Sequence, residues 1–387
     1  MDNLTSVCFC VFMCVFVVKS ELYEGNSCYS EIDRLNGTCV HVHRCLSTVN
    51  DIKKGIKPQL CSFDGQKPII CCTDCELIGN TSLVWVNDRG VYFFKTGSKA
   101  QDKCIEHVAN LRYPCYTSTG VKRMLNFISR DCYQYLPSFE LTTVGGENAE
   151  RGEFPHMALL GYGDSIERAE WVCGGSVISD RFILTAAHCI SSSKLGPVKY
   201  IALGTLKRSD PVKTWQLYNV SRIIPHPQYK SPSKYHDIAL LETETQIKFN
   251  IYVLPACLSL GNDDESLASA TGWGAIGYRK DLADNLQVIY LQQFSEDECS
   301  TAYPSNRNLQ RGYDHTIQSC YGDRSHVINT CQGDSGGPLH IKSQYGLCVF
   351  NLIGVTSFGA ACSSLGSPGV YTKVVHYVSW IESIVWP

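Results

Sequence analysis

Apolar and polar residues alternate in many short runs along the C-terminal part of the chain, for example over residues 171–178 and 181–185. Alternation with a period of two predicts strands that bury one face, and glycine or proline separates the runs. Many short strands of this kind predict an all-β domain of two antiparallel barrels. Near the C-terminus the apolar residues return at helical spacing, which predicts a docking helix through Tyr377, Trp380, Ile381, Ile384 and Val385.

The N-terminus carries a different apolar pattern. Val7 to Val18 is a continuous apolar run of 12 residues, followed by Lys19 and Ser20. It is too short to cross a bilayer, and no later stretch is long enough to do so. Although its first residues lack the usual positive charge, the run is typical of a signal peptide, here residues 1–20. The sequence therefore predicts a secreted protein without a membrane anchor.

Composition narrows the class of protein. The chain has 387 residues, of which 44% are apolar and 18% charged, which is enough for one large domain and a smaller one. A net charge of −3 argues against nucleic acid as a partner. Of the 21 cysteines, three lie in the signal peptide, which leaves an even number, 18, for an oxidising compartment.

The strongest chemical motif is CQGDSGGP at residues 331–338. Glycines on both sides of Ser335 allow a tight turn whose N–H groups converge on one point and stabilise an oxyanion. By itself the motif also fits an ordinary disulfide-anchored turn. Two further residues favour catalysis: His188 follows Thr-Ala-Ala, and Asp237 stands at the head of an apolar strand.

In this order, His188, Asp237 and Ser335, residues 143–387 resemble the chymotrypsin-like (S1) serine proteases. An α/β-hydrolase has a different order of these residue types. The resemblance implies two six-stranded antiparallel β-barrels followed by a C-terminal helix. It also implies that His188 is the general base, Asp237 its orienting carboxylate and Ser335 the nucleophile, with an oxyanion hole formed by the N–H groups of Gly333 and Ser335.

Residues 143–146, TVGG, resemble the start of a mature S1 protease. In that family a cut frees an α-amino group, which pairs with the aspartate before the nucleophile, here Asp334. The chain is therefore expected to be a zymogen that is cut between Thr142 and Thr143. Two departures stand out: Thr143 replaces the usual isoleucine, and no Arg or Lys precedes the bond. An activator of chymotrypsin-like or elastase-like specificity fits this site better than a tryptic one, and tryptic self-activation is not expected.

The resemblance also locates the specificity pocket. Its floor is Asn329, six residues before Ser335, and its walls are Gly359 and Gly369. Trypsin-like members carry Asp at the floor, whose charge stabilises a bound Arg or Lys, whereas Asn is neutral. An open and uncharged pocket predicts preference for large apolar or neutral polar residues. The alternative is that another acidic residue reaches the pocket and maintains tryptic activity.

Six cysteines lie within residues 28–72 and end in the adjacent pair Cys71 and Cys72. So short a segment needs disulfides, worth about 2–4 kcal/mol each, to fold. Residues 21–72 resemble the clip domain of arthropod proteases. A zinc site is the alternative, but paired C-x-x-C ligands are missing and the compartment is oxidising. The two resemblances imply the disulfides Cys28–Cys71, Cys39–Cys61, Cys45–Cys72, Cys132–Cys257, Cys173–Cys189, Cys299–Cys320 and Cys331–Cys362, and leave open the pairing of Cys75, Cys104, Cys115 and Cys348.

Residues 73–142 form a linker whose role the sequence leaves open between a spacer, which we favour, and a docking surface. A hairpin is predicted over Thr81–Phe94. Sequons at Asn36, Asn80 and Asn219 are candidate glycosylation sites, or else unmodified surface turns.

These observations predict a secreted serine endopeptidase that acts in an extracellular cascade of immunity, melanisation or development. Its expected partners are protein substrates, an upstream activating protease and, as a candidate, a serpin inhibitor. No cofactor and no metal are expected. The alternatives are a venom, salivary or digestive protease and a non-catalytic adaptor that acts through its clip domain.

Overall fold

The structure is a computed structural model. It describes residues 22–31, 35–45, 48, 51–52, 55–73, 84–86, 91–93, 98–110, 146–250, 252–261, 265–275, 281–324, 333–343, 349–359 and 367–387. The chain divides into two compact units, Met1–Asn80 and Thr81–Pro387. Among the helices in these ranges, none is long and apolar enough to cross a membrane.

The first unit contains a four-stranded antiparallel sheet. Its strands are β1 (Ser27–Ser30), β2 (Leu35–His41), β3 (Leu60–Asp64) and β4 (Lys67–Cys72), in the order β1-β2-β4-β3. A single 3₁₀ turn, Val42–Arg44, follows β2.

Disulfides close both faces of this sheet. Successive residues of a strand point to opposite faces, so the adjacent Cys71 and Cys72 of β4 serve different clusters. Cys71 bonds Cys28 beside the buried Ile69, and Cys72 bonds Cys45 beside the buried Ile70. The third bridge joins Cys39 to Cys61. These are the three pairings that the clip-domain resemblance implied, and they leave none of the six thiols for zinc.

The second unit begins with the hairpin β5 (Val84–Val86) and β6 (Val91–Phe93), in the predicted place, and the helix α1 (Lys99–Asn110). Two barrels follow. The strands of the first part are β7 (Glu147–Asn148), β8 (Met157–Tyr162), β9 (Glu170–Val177), β10 (Phe182–Thr185), β11 (Ser191–Ser192), β12 (Gly196–Leu203), β13 (Gln216–Pro225) and β14 (Ala239–Thr243).

The later elements are β15 (Cys257–Leu258), β16 (Leu267–Gly272), β17 (Gln287–Gln293), α2 (Glu296–Ala302), β18 (Gln318–Gly322), β19 (Pro338–Lys342), β20 (Phe350–Gly359), β21 (Gly369–Lys373) and α3 (Val374–Val385). Short 3₁₀ turns lie at Ile166–Arg168, Ala187–Cys189 and Val212–Thr214.

Each barrel is a closed ring of six antiparallel strands, as predicted. The N-terminal barrel runs β8-β9-β10-β14-β13-β12 and closes through pairing of β12 with β8. The C-terminal barrel runs β16-β17-β18-β21-β20-β19 and closes back on β16. Their interiors hold fully buried aliphatic and aromatic side chains, including Leu160, Ile183, Leu240, Leu339 and Tyr371. Closure leaves neither ring with a free edge around its core.

The C-terminal helix α3 docks as the periodicity predicted. It buries Val374, Tyr377, Val378, Ile381 and Val385 in the larger core, and Trp380 and Ile384 pack against the edge of that core.

One predicted disulfide is wrong. Cys257, at the start of β15, bonds Cys104 of α1 and not Cys132. The reason is that α1 packs on β15, where Cys104 and Cys257, both 5% exposed, form a buried cluster with Val349. Cys132 lies outside the described residues. The predicted bridges Cys173–Cys189 and Cys299–Cys320 are present, and Cys331–Cys362 lies outside the described residues.

The helix α1 also makes polar contacts with the C-terminal helix. Glu382 Oε1 accepts hydrogen bonds from the backbone N–H of Ala100 at 2.7 Å and from the hydroxyl of Ser98 at 3.1 Å. A carboxylate at a helix N-terminus satisfies free N–H groups and complements the helix dipole. This part of the linker is therefore packed against the protease unit through α1.

Two buried histidines lie between the barrels. His156, just before β8, places Nε2 3.2 Å from Nδ1 of His340 on β19, and the rings of Phe154 and Phe350 pack against both imidazoles. Burial lowers the pKa of His156 to about 3 and lowers the pKa of His340 well below its ordinary value. Both imidazoles are therefore neutral in the folded protein at neutral pH.

This pair should make the protease unit sensitive to acid. Below pH 6.5 these histidines bind protons in the unfolded chain but not in the folded chain. Their contribution to the free energy of unfolding is therefore fully present above pH 6.5 and is lost as the pH drops towards 3. For His156 alone the loss at pH 4.5 is about 3 kcal/mol. Thermal unfolding of the full chain at pH 7 and 4.5 checks this. The difference between the two pH values should shrink in His156→Gln, and an unchanged difference would contradict it.

Candidate active site

His188 is held by the end of strand β10 and by a disulfide. Strand β10 ends at Thr185, and the 3₁₀ turn Ala187–Cys189 that follows carries the imidazole. The Thr185 hydroxyl donates to the carbonyl of Gly174 on β9 at 2.8 Å, and Cys189 bonds Cys173 on the same strand. These contacts fix the turn on the wall of the N-terminal barrel.

Asp237 lies directly beside this turn and is only 1% exposed. Its Oδ1 accepts the backbone N–H of His188 at 2.8 Å, and its Oδ2 lies 2.7 Å from His188 Nδ1. The Ser357 hydroxyl donates to the same Oδ2 at 2.5 Å, and the Thr372 hydroxyl donates to the Asp237 carbonyl at 2.8 Å. The carboxylate is thus bound by donors from both barrels.

These donors settle the charge of Asp237. Burial by itself raises the pKa of a carboxyl group, but the adjacent His188 and the hydrogen bonds from His188 and Ser357 outweigh burial and hold the pKa of Asp237 below its ordinary value. An ionised carboxylate only accepts hydrogen bonds, so His188 Nδ1 must carry the proton. The other ring nitrogen, Nε2, is left with a lone pair that can take a proton.

Ser335 sits on a turn that reaches across to the N-terminal barrel. Its carbonyl accepts from the N–H of Gly174 at 2.8 Å, and the N–H of Gly336 donates to Thr356 at 2.8 Å. A Cβ atom added to Gly336 would lie 2.2 Å from the Thr185 hydroxyl, which shows how closely the turn packs on the strand leading to His188. Within the described ranges no hydrogen bond joins the Ser335 hydroxyl to His188. Such catalytic bonds often form only when substrate binds.

The predicted oxyanion donors occupy the same turn. Gly333 has φ +103°, a conformation that favours glycine, and a Cβ there would lie 2.7 Å from Leu282 and 2.9 Å from Gly274. Considering the described residues alone, the N–H groups of Gly333 and Ser335 have no acceptor. Both donors are therefore available to a bound oxygen atom.

The predicted activation carboxylate also has a defined position. Asp334 Oδ1 accepts from the N–H of Gly274 at 2.8 Å, and a Cβ on Gly272 or Gly274 would collide with this carboxylate. Strand β7, which begins four residues after Thr143, pairs with Gln287 and Val288 of β17. The chain just after the predicted cleavage bond is thus anchored on the C-terminal barrel. Thr142 and Thr143 themselves lie outside the described residues.

The two predicted pocket walls face each other across a strand pair. Gly359 of β20 is paired with Gly369 of β21, and a Cβ on Gly359 would meet the Cα of Gly369 at 3.6 Å. Side chains at these positions would narrow the space between the strands. The predicted floor, Asn329, lies outside the described residues.

Sequence reasoning missed Ser357 and Thr372, the two hydroxyl groups that hold Asp237. Each comes from a strand of the C-terminal barrel, more than a hundred residues away in the chain. Ser and Thr alternate with apolar residues in many strands of this chain, so no local pattern distinguishes these two. The sulfurs of Cys173 and Cys189 lie near His188 and are joined in the predicted disulfide, so they offer no thiolate to a metal.

A buried carboxylate that binds an imidazole, beside the turn of a glycine-flanked serine and with donors from two six-stranded barrels, is the arrangement of a serine endopeptidase of chymotrypsin-like fold. Residues 143–381 match the model of the Trypsin family, and the chain belongs to that family.

Known relatives extend this similarity beyond the protease domain. The chain is 33% identical over 375 residues to Serine protease snk of Drosophila melanogaster, covering 95% of this chain and 80% of that protein. It is 37% identical over 262 residues to CLIP domain-containing serine protease C9 of Anopheles gambiae, covering 64% and 69%. It is 35% identical over 333 residues to Venom serine protease Bi-VSP of Bombus ignitus, covering 84% and 80%.

Proposed function

We propose that this chain is a secreted zymogen that becomes a serine endopeptidase with a His188–Asp237–Ser335 triad. The contact between His188 Nδ1 and Asp237 Oδ2, 2.7 Å long and next to the Ser335 turn, carries the proposal. Disulfides such as Cys28–Cys71 and Cys173–Cys189 support an extracellular location, because disulfides persist in oxidising compartments. The setting is a proteolytic cascade in immunity, melanisation or development, in line with the similarity to CLIP domain-containing proteases.

The chemistry follows from the positions of these groups. His188 Nε2 removes the proton from the Ser335 hydroxyl as the oxygen attacks the substrate carbonyl. Asp237 stabilises the imidazolium that forms, and the N–H groups of Gly333 and Ser335 stabilise the oxyanion. His188 then gives its proton to the leaving amine, and water repeats the cycle on the acyl group.

Activation would act through Asp334. An upstream protease cuts between Thr142 and Thr143, and the new α-amino group pairs with the Asp334 carboxylate beside Gly274. This ion pair would fix the turn that carries Gly333 and Ser335. Because Thr143 carries a hydroxyl where the family has an apolar side chain, its burial needs a hydrogen-bond partner.

The pocket would accept large apolar or neutral polar residues, because its walls are glycines and its floor Asn329 is uncharged. A serpin-type inhibitor is a candidate partner, since such inhibitors are cleaved as protease substrates. Glycosylation is proposed at Asn36, Asn80 and Asn219. Asn219 is exposed on β13, with its side-chain amide donating to Glu244 at 2.9 Å.

A second candidate function is that of a venom protease. The similarity to Venom serine protease Bi-VSP of Bombus ignitus, over 84% of this chain, is the observation that favours it. The two candidates share one chemistry and differ in the tissue that secretes the protein. Immunostaining of venom gland and blood cells would separate them.

A peptide-library cleavage profile of the full chain, cut in register at Thr142–Thr143, tests the proposed activity. We expect cleavage after bulky apolar or neutral residues, at least about 100-fold faster than in the uncut chain, because the proposed ion pair of the new α-amino group with Asp334 fixes the turn that carries the oxyanion donors. Cleavage after Arg or Lys would contradict the proposed specificity. Absence of any cleavage, with the new N-terminus verified, would favour the non-catalytic adaptor.

A further inference from the structure

Lys234 lies three residues before Asp237, and its backbone is fixed on both sides. Its N–H donates to the Asn308 carbonyl at 2.9 Å, and its carbonyl accepts from Gln318 Nε2 at 3.0 Å. The side chain is half-buried and places Nζ 5.5 Å from the ring centroid of Phe358. The ammonium group is therefore held over an aromatic face close to the active site.

This cation has no carboxylate partner within the described part of the chain, whereas several other basic side chains there have one. Lys199 pairs with Asp164, Arg311 with Asp314, and Arg324 with Glu298. Two nearby acids are already engaged. Asp237, three residues further on, holds His188 and Ser357. Asp314, whose N–H donates to the same Gln318 side chain that contacts Lys234, holds Arg311 and Thr316. The ammonium of Lys234 is thus available to a negative group from outside the chain.

Phe358 connects this cation to the substrate cleft. It stands between Ser357, which contacts Asp237, and Gly359, the pocket wall. Tyr303 packs against its ring edge-on at 5.5 Å and anchors its own hydroxyl on the Pro368 carbonyl. Lys234 and Tyr303 both lie against this ring, next to the pocket wall.

The strand that carries Phe358 also offers an edge to an extended peptide. Residues 358–359 of β20 pair with β21 on one side. Among the described residues no strand pairs with the other side of residues 358–359. The pairing of β19 with β20 stops at Val355, and the turn after Ser335 contacts β20 only at Thr356. A peptide added to such an edge, with one side chain between Gly359 and Gly369, would carry its preceding residues over Phe358 towards Lys234.

We propose that Lys234 selects substrates with an acidic side chain among the two or three residues before the pocket residue. This inference rests on the proposed protease function and adds the charge of the substrate to it. The carboxylate would pair with the Lys234 ammonium while its methylene groups pack on the ring of Phe358. Such a sequence lies directly before the predicted activation bond of this chain, where Glu140 precedes Leu141, an apolar residue suited to the pocket.

The size of the effect follows from the exposure of the site. A half-exposed ion pair supports a preference of about three- to fivefold in kcat/KM for Glu over Gln. The preference should weaken as salt is raised from 0.05 to 0.5 M, because added ions screen an accessible pair (roughly a threefold drop in Debye length). A preference that comes only from hydrogen bonding would not depend on salt in this way.

The test uses two peptides that span residues 137–146 of this chain, one with Glu at position 140 and one with Gln. The ratio of their kcat/KM values is measured for the activated full chain and for Lys234→Met and Lys234→Glu. We expect the ratio to fall to about one in Lys234→Met and to invert in Lys234→Glu, where like charges meet. Lys213→Met, which removes the same charge from an exposed side chain in the 3₁₀ turn Val212–Thr214, is the control and should keep the wild-type ratio.

Binding of both peptides to the Ser335→Ala form gives a readout that does not need catalysis. If the Glu peptide binds more tightly but nothing is cleaved by the activated wild-type chain, the proposed protease function is wrong and the role of Lys234 stands. If the wild type cleaves or binds both peptides equally, or if Lys234→Met keeps the Glu preference, the inference is overturned.

Discussion

Replacement of Ser335 by Ala is expected to lower kcat by about 10⁶-fold in the activated enzyme, because no other group can form the acyl intermediate. The fold should be unaffected. Ser335 holds the fold through its backbone carbonyl, which accepts from the N–H of Gly174 at 2.8 Å, and Ala keeps that carbonyl. The measurement is kcat for a peptide with an apolar residue in the pocket position, together with the melting temperature of the variant.

A matched control is Ser383→Ala, which removes a hydroxyl that donates to the Trp380 carbonyl in helix α3. It should leave kcat unchanged, because this serine belongs to the docking helix. If Ser335→Ala retained measurable turnover above the uncut chain, another nucleophile would be acting. If the variant lost turnover but retained its full biological effect in the animal, the protein would act as an adaptor.

Much of the fold follows from local patterns that the sequence displays openly. Period-two alternation predicts strands, and closed barrels are the arrangement in which so many short antiparallel strands satisfy their edges. The adjacent Cys71 and Cys72 illustrate how far such a pattern reaches. Because neighbouring strand residues face opposite ways, two vicinal cysteines must serve two separate faces of the sheet. The partner of each cysteine came from the family resemblance and not from the spacing.

Long-range contacts explain what the sequence could not show. Cys104 pairs with Cys257 because α1 docks on β15, and Glu382, near the C-terminus, accepts a hydrogen bond from the first turn of α1. Nothing in the sequence around α1 indicates that the carboxylate accepting from its first turn lies 282 residues further along the chain. Ser357 is a similar case, since its link to Asp237 forms only when both barrels have closed. Motifs identify the reacting groups, and the packed barrels supply the groups that hold them.

Replacement of Asp237 by Asn is expected to lower kcat by about 10⁴-fold, the size established for the equivalent change in a serine-protease triad. The structure explains why so small a change has so large an effect. Three donors converge on the carboxylate: the His188 N–H, His188 Nδ1 and the Ser357 hydroxyl. An Asn side chain offers one acceptor oxygen and one NH₂ group, so at least one donor must face another donor.

The imidazole relieves this conflict by moving its proton to Nε2, where it can no longer accept the proton of Ser335. A fluorophosphonate that labels the active serine should therefore react with Asp237→Asn as slowly as the peptide is cleaved, while the melting temperature falls only modestly. Ser357→Ala provides the graded comparison, because it removes one donor and leaves an ionised carboxylate that still orients Nδ1–H. Its kcat should lie between those of the wild type and Asp237→Asn. Equal activity of Asp237→Asn and the wild type would show that His188 is oriented by another group.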